Sequence, residues 1–172
     1  MPSRARHEPV NVTVREAEPG DVSAVQRVAR RAWRAAYGDT LDAETIDRAM
    51  GEWYGDATVS DRISRASGLF LVAATDDRVG GYVDASLRDG DAVVGALNVD
   101  PDWWREGVGG RLLDRAVATL DDRGAERVRA RALADNDVGR SFYESRGFTV
   151  HSEGEDELFG RTAAAVTYVR EL

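Results

Sequence analysis

Cysteine is absent from the chain, which excludes disulfides, thiolate metal sites and any covalent acyl-cysteine intermediate. Lysine is absent too, so all 23 basic residues are arginine, and a phosphate loop ending in Gly-Lys-Ser/Thr is ruled out. Histidine occurs only as His7 and His151. Both read as surface residues near chain ends or edges, and no metal site is expected. No apolar run approaches the eighteen or so residues of a membrane span, and the opening MPSRARHEP lacks the apolar core of a signal peptide. A soluble, cytoplasmic protein is expected. The net charge of -8 argues against nucleic acid or an anionic membrane as partner. Arginine-only, aspartate-rich composition suits a salt-rich cytoplasm, and it suits an ordinary acidic surface nearly as well.

What is present centres on residues 97–113, LNVDPDWWREGVGGRLL. An apolar strand end runs through Pro101 into a turn with Gly107, Gly109 and Gly110, and then into a helix carrying Leu112, Leu113, Ala116, Val117 and Leu120. Glycines at such a turn keep side chains off the backbone, and the first helical turn offers unpaired N–H groups at the positive end of the dipole. An anion-binding turn is expected; the alternative is a plain structural turn. It is not a dinucleotide fingerprint: Leu112 stands where the third glycine is needed, and the acidic residue about twenty positions on is missing.

The length of 172 residues fits one domain, expected over residues 10–172 behind a flexible tail at 1–9. Residues 10–15 (VNVTVR) alternate as a half-buried strand. A helix follows Pro19 and Gly20, with Val22, Val25, Val28, Ala29, Ala32, Trp33, Ala36 and Tyr37 at helical spacing. A shorter helix spans 42–53, and 56–68 is uninformative apart from a helical turn around Ile63. Strands at 69–74, 79–87 and 92–99, joined by Asp-rich turns, make three antiparallel strands leading into the glycine turn. After its helix come a strand at 127–133, a helix capped by Asn136, and closing strands at 148–151 and 164–169. The fold class is α/β (α+β), with a mixed, mostly antiparallel sheet of about six or seven strands and about four helices.

That order, with two motifs, resembles the GCN5-related N-acetyltransferase (GNAT) superfamily. In that family the fourth strand leads into a Gln/Arg-x-x-Gly-x-Gly/Ala loop that holds the pyrophosphate of acetyl-CoA. Gly107, Val108 and Gly109 match its glycine part, whereas Trp104 stands where Gln or Arg is usual. The second motif, NDVGRSFYESRGF at 136–148, is similar to the family's Asn-x-x-(small)-x-x-Phe-Tyr-x-x-x-Gly-Phe segment. The resemblance implies an acetyl-CoA-dependent N-acetyltransferase. By position it implies Asn136 against the pantetheine arm, Tyr143 as general acid to the leaving thiolate, and the Val99 backbone N–H polarising the carbonyl. Asn98, Val99, Arg105, Gly107, Val108, Gly109, Gly110, Asn136 and Tyr143 are the implied acetyl-CoA contacts. Residues 29–41, ARRAWRAAYGDTL, resemble the region bordering the acceptor site, so Trp33 and Tyr37 either wall the acceptor pocket or form a core stripe.

Acyl transfer from a thioester to an amine then proceeds by direct attack in a ternary complex, for which holding the reactants together is a large part of the acceleration. The base is open. Many family members carry a glutamate on the fourth strand, and residues 92–97 hold no carboxylate. Asp84, Asp91 and Glu52 are candidates, each equally readable as a surface charge, and a water chain would serve as well. The acceptor is a small-molecule or peptide amine, in a monomer or homodimer. The alternative from another class is a non-catalytic CoA-binding sensor or assembly module.

Overall fold

The computed structural model describes residues 10–65 and 68–172; the tail expected at 1–9, His7 included, lies outside them. Strand β1 (Thr13–Glu16) is followed by helices α1 (Val22–Tyr37), α2 (Ala43–Trp53) and α3 (Asp56–Ser64). Then come β2 (Gly68–Ala74), β3 (Val79–Arg88), β4 (Asp91–Val99), α4 (Val108–Asp122), β5 (Arg127–Leu133), α5 (Asp137–Ser145), β6 (Thr149–Leu158) and β7 (Arg161–Glu171). The seven strands form one sheet in the order β1-β2-β3-β4-β5-β7-β6. Only β4 and β5 pair in parallel. None of the described helices is long and apolar enough to cross a membrane.

Apolar periodicity decides which face each helix covers. Leu112, Leu113, Ala116 and Leu120 of α4 pack with Val83, Val94, Val128 and Tyr168 on one face of the sheet. Val25, Val28, Ile46 and Val59 of α1–α3 pack with Phe70, Val72 and Tyr82 on the other. Asp42 starts α2 by accepting the Thr45 N–H at 2.8 Å, a cap of the usual kind.

Four elements differ from the sequence expectation. Residues 10–12 lie outside β1, because Thr13 already pairs with Ala74, the last residue of β2; the Val12 carbonyl instead accepts from Arg111 of α4 at 2.6 Å. Helix α3 is a full helix and brings the described α-helices to five; Val59 is its one fully buried residue, too little apolar content for a periodic signal. Strands β6 and β7 are also longer than expected. β6 is an edge strand on carboxylates (Glu153, Glu155, Asp156, Glu157), exposed along nearly its whole length. Such charge on an edge strand discourages pairing with another chain, and it hides the strand from a hydrophobicity reading.

The feature that positions the site is a divergence between β4 and β5. Their pairing runs from Asp91↔Arg127 to Val94↔Ala130 and stops. At that point β4 bulges: Ala85 faces Val94 while Asp84 faces Ala96, which leaves Gly95 as the extra residue. Beyond it β5 continues against β7 as far as Leu133, and β4 runs alone to Val99 on that side.

Candidate active site

Strand alternation fixes what the end of β4 presents to this gap. The Asp100 N–H donates to the Gly80 carbonyl at 2.7 Å, so Gly80 and Asp100 are a hydrogen-bonded pair. Gly81 and Val99, the neighbouring opposed residues, are then a non-hydrogen-bonded pair, and Val99 turns both backbone groups away from β3. Trp104 takes the Val99 carbonyl through its indole N–H at 2.8 Å; the Val99 N–H faces the gap. Trp104 thus ties the loop back to the strand from which it leaves. Replacing it with phenylalanine keeps an aromatic ring, smaller than the indole, and removes one hydrogen bond, worth about 1 kcal/mol. Expected is a weakening of acetyl-CoA binding by roughly 3- to 10-fold, read as Kd by calorimetry.

The loop itself turns on two left-handed residues, Arg105 (φ 64) and Gly107 (φ 77). Only the second is a glycine, and it is the residue before α4. Arg111 is the first N–H to bond back into the helix, to the Gly107 carbonyl at 3.1 Å. The N–H groups of Val108, Gly109 and Gly110 therefore have no intrahelical acceptor. Left-handed backbone beside a helix start makes a concave set of N–H donors suited to an anion. A Cβ on Gly107 would meet nothing within 4 Å: the space above it is open. Gly109 differs, since a Cβ there would sit 3.3 Å from Phe142 and 3.6 Å from the Val99 side chain. Its missing side chain lets α5 and the end of β4 approach α4. At Gly110 the guanidinium of Arg146 occupies the corresponding place, lying 4.9 Å over the Phe142 ring. Arg146, ion-paired with Asp114 at 3.7 Å, sets a guanidinium beside this turn; its only sequence signal is a place just before the Gly-Phe pair. Val108 is buried in the core, so only its backbone is available to a ligand, while the Arg105 side chain is exposed.

The second motif folds into α5 and its cap. The Asn136 side-chain oxygen accepts the Gly139 N–H at 2.9 Å, and its amide donates to the Tyr37 hydroxyl at 2.9 Å. Gly139 must be small, because a Cβ there would stand 2.5 Å from the Asn136 amide nitrogen. Asn136 thus joins α5 to α1. Further along, the Tyr143 ring is held by Phe142 (5.3 Å between centroids), Phe148 (5.2 Å) and Tyr168 (5.8 Å). The hydroxyl of Tyr168 is fully engaged, accepting from Arg140 and donating to Glu144, each at 3.0 Å. The hydroxyl of Tyr143 has no protein partner among the described residues.

Burial pushes the Tyr143 hydroxyl well above the ordinary tyrosine range and Tyr37 up to about 12. Burial raises Tyr82 as well. An unfolded tyrosine titrates near pH 10, so between that pH and about 12 the folded chain binds more protons than the unfolded one. The contribution is fully present below the unfolded value and is lost as pH rises through the folded one. Thermal unfolding should therefore show Tm falling from about pH 10 upward, with a shallower fall in Tyr37→Phe; an unchanged slope in that variant would contradict the assignment.

Trp33 and Tyr37 lie 4.8 Å apart and belong to a larger group: Trp53 of α2 is 5.7 Å from Trp33, and Phe159, between β6 and β7, is 5.6 Å from Trp53. Trp53 and Phe159 were not singled out from sequence, since no spacing links them. Tyr37 is buried and Trp33 partly so, while Trp53 is 37% exposed. The group thus runs from the core to the surface.

The three carboxylates considered as base are not brought together. Asp84 is bound by Arg62 at 2.7 Å. Asp91 sits at the opposite end of β4 from Val99, eight residues away, roughly 25 Å along a strand. A hydrogen bond from Arg127 and the charges of Arg127 and Arg129 hold its carboxyl below the usual range, which makes it a weak base. Glu52 is exposed on α2. Asn98, expected beside the glycine turn, points its side chain to the opposite face, where its amide donates to the Tyr82 hydroxyl at 2.7 Å.

The chain is 26% identical over 152 residues to a spermidine N(1)-acetyltransferase of Thermoplasma acidophilum, covering 86% of this chain and 94% of that protein. It is 31% identical over 80 residues to a ribosomal protein bS18-alanine N-acetyltransferase of Salmonella typhimurium, covering 46% of this chain and 54% of that one. The fold matches the crystal structure of the PaiA N-acetyltransferase of Thermoplasma acidophilum in complex with coenzyme A. That match has a TM-score of 0.82 and 23% identity, over 95% of this chain and 100% of that one. The family model for the acetyltransferase (GNAT) family matches residues 24–148, from α1 through the glycine turn to Phe148, and the chain belongs to that family.

Proposed function

We propose that this chain moves the acetyl group of acetyl-CoA directly to an amine nitrogen within one ternary complex. The observation that carries this reading is the Tyr143 hydroxyl: its ring is fixed by three aromatic neighbours, yet the hydroxyl bonds to no described residue. Tyr143 is 7% exposed and its hydroxyl is not sealed in the core, so a donor held in place with no protein acceptor among the described residues is available to a bound ligand. Acetyl-CoA supplies an activated thioester when bound. Around it, Gly107 and the N–H groups at the start of α4 cradle pyrophosphate, the Val99 N–H donates to the carbonyl oxygen, and Tyr143 donates a proton to the sulfur. With no cysteine in the chain, no thiol competes as nucleophile.

The aromatic group of Trp33, Tyr37, Trp53 and Phe159 forms the acceptor wall. A net charge of -8 and a wall of π-faces favour a cationic amine. The relatives' names bear on amines of two kinds: one is a spermidine N(1)-acetyltransferase, and the other a ribosomal protein bS18-alanine N-acetyltransferase. The test is a panel of spermidine, an alanine-starting peptide, a lysine peptide and an aminoglycoside, each incubated with acetyl-CoA and followed by mass spectrometry. Expected is the mass gain of one acetyl group on at least one of them. One observation favours the sensor alternative: β4 carries no carboxylate between its bulge and Val99. Tight CoA binding with no acetylated product in the panel would establish that alternative instead.

A further inference from the structure

Asn98 stands one residue before Val99, on the stretch of β4 that β5 has left. Its side chain crosses to the face covered by α1–α3, directly opposite Tyr82 on β3. There the Asn98 amide donates to the Tyr82 hydroxyl, and Tyr82 donates to the Tyr54 hydroxyl, each at 2.7 Å. Tyr82 is 0% exposed and Tyr54 6%, and the Tyr82 ring stacks on Phe70 at 5.5 Å, so this chain of hydroxyls is held on all sides. A tyrosine hydroxyl has one proton. With that of Tyr82 directed at Tyr54, its oxygen faces Asn98 as an acceptor and fixes which end of the amide turns inward. The Asn98 side-chain carbonyl is left pointing away from Tyr82. Asn98 itself is only half-buried. The partly buried Ala96, Leu133, Trp33 and Phe159 border this same face, and Asp84, two residues after Tyr82 on β3, is bound by Arg62.

We infer that Asn98 receives the acceptor amine: its side-chain carbonyl accepts a hydrogen bond from a neutral primary amine and aims the nitrogen lone pair at the carbonyl carbon whose oxygen meets the Val99 N–H. This rests on the acetyltransferase function proposed above. The C–N bond forms and the C–S bond breaks. The amine's surplus proton leaves to water, since an amide takes none, and the thiolate receives a proton from Tyr143, which is replenished from solvent. The buried hydroxyls act by orienting the amide and not by conducting protons.

The experiment compares wild type, Asn98→Ala and Asn98→Asp, with spermidine, an alanine-starting peptide and a lysine peptide as probe amines, and with acetyl-CoA affinity measured separately by calorimetry. Aspartate keeps an acceptor oxygen in the same place, and Tyr82 can redirect its proton to it. In Asn98→Ala, kcat/KM for the amine should fall about 10- to 100-fold while Kd for acetyl-CoA stays within about twofold. Asn98→Asp should recover most of the loss. An unchanged amine kcat/KM in the alanine variant would overturn the inference. So would a loss confined to acetyl-CoA binding, or an aspartate variant no better than alanine; all three leave the acetyltransferase function standing. A wild-type protein that acetylates none of the probes overturns that function and the inference with it.

Discussion

Tyr143→Phe is expected to lower kcat by roughly 10²- to 10⁴-fold while acetyl-CoA affinity stays nearly unchanged, the range typical of removing a general acid. The substitution removes the hydroxyl and leaves the ring in place. Phenylalanine preserves the contacts to Phe142, Phe148 and Tyr168, and no protein hydrogen bond is lost because the hydroxyl makes none with a described residue. Stability should change little, since neither a protein hydrogen bond nor a packing contact is removed. Burial keeps the hydroxyl protonated far above neutral pH, so the wild-type proton donor is present throughout the working range and no alkaline limb below pH 10 belongs to it. Parallel measurements of kcat, Kd for acetyl-CoA and Tm separate the roles: an unaltered kcat would make Tyr143 a packing residue and leave protonation of the sulfur to water.

Gly107→Val should reduce acetyl-CoA affinity by about 100-fold or more, for two reasons that act at the same atom. The residue sits at φ 77, where a β-branched side chain is strained by roughly 1–2 kcal/mol, and the new side chain would project into the open space over the turn. The strain leaves a folded protein, because no core contact is touched; circular dichroism should be unchanged and Tm a few degrees lower. Gly109→Val is the less informative variant. Its side chain would press on Phe142 and Val99, and any loss of binding would mix a displaced α5 with a blocked cradle. A folded Gly107→Val protein that binds acetyl-CoA as wild type does would remove the turn from the binding site.

The parts of this molecule legible in the sequence are those where a local pattern is itself the cause. Helix α4 could be read because Leu112, Leu113, Ala116 and Leu120 recur on the face that covers the sheet. Asn136 could be read as a cap because its side chain meets the backbone only three residues on. Helix α3 and the outer half of β6 could not, since one is held by a single buried valine and the other is a polar edge supported by pairing with β7. The bulge at Gly95 depends on register with β3, a long-range fact with no mark beyond one glycine in a strand. For the site, positions were legible and hydrogen-bond states were not. Trp104 appeared as a departure from the family pattern, and its indole turns out to hold the Val99 carbonyl. Asn98 sits beside Val99 in sequence, but strand alternation sends its side chain to the opposite face.

Because the chain has no cysteine, every thiol that appears in a reaction with acetyl-CoA is CoA, and a thiol-reactive dye reads turnover with no protein background. Initial rates of thiol release with wild-type protein, taken with and without an acceptor amine across the pH range, decide whether this chain transfers acetyl groups to amines. Expected is release that requires both protein and amine and that rises with pH as the amine loses its proton. Release at the rate of uncatalysed hydrolysis, with acetyl-CoA bound and every amine of the panel present, would contradict it.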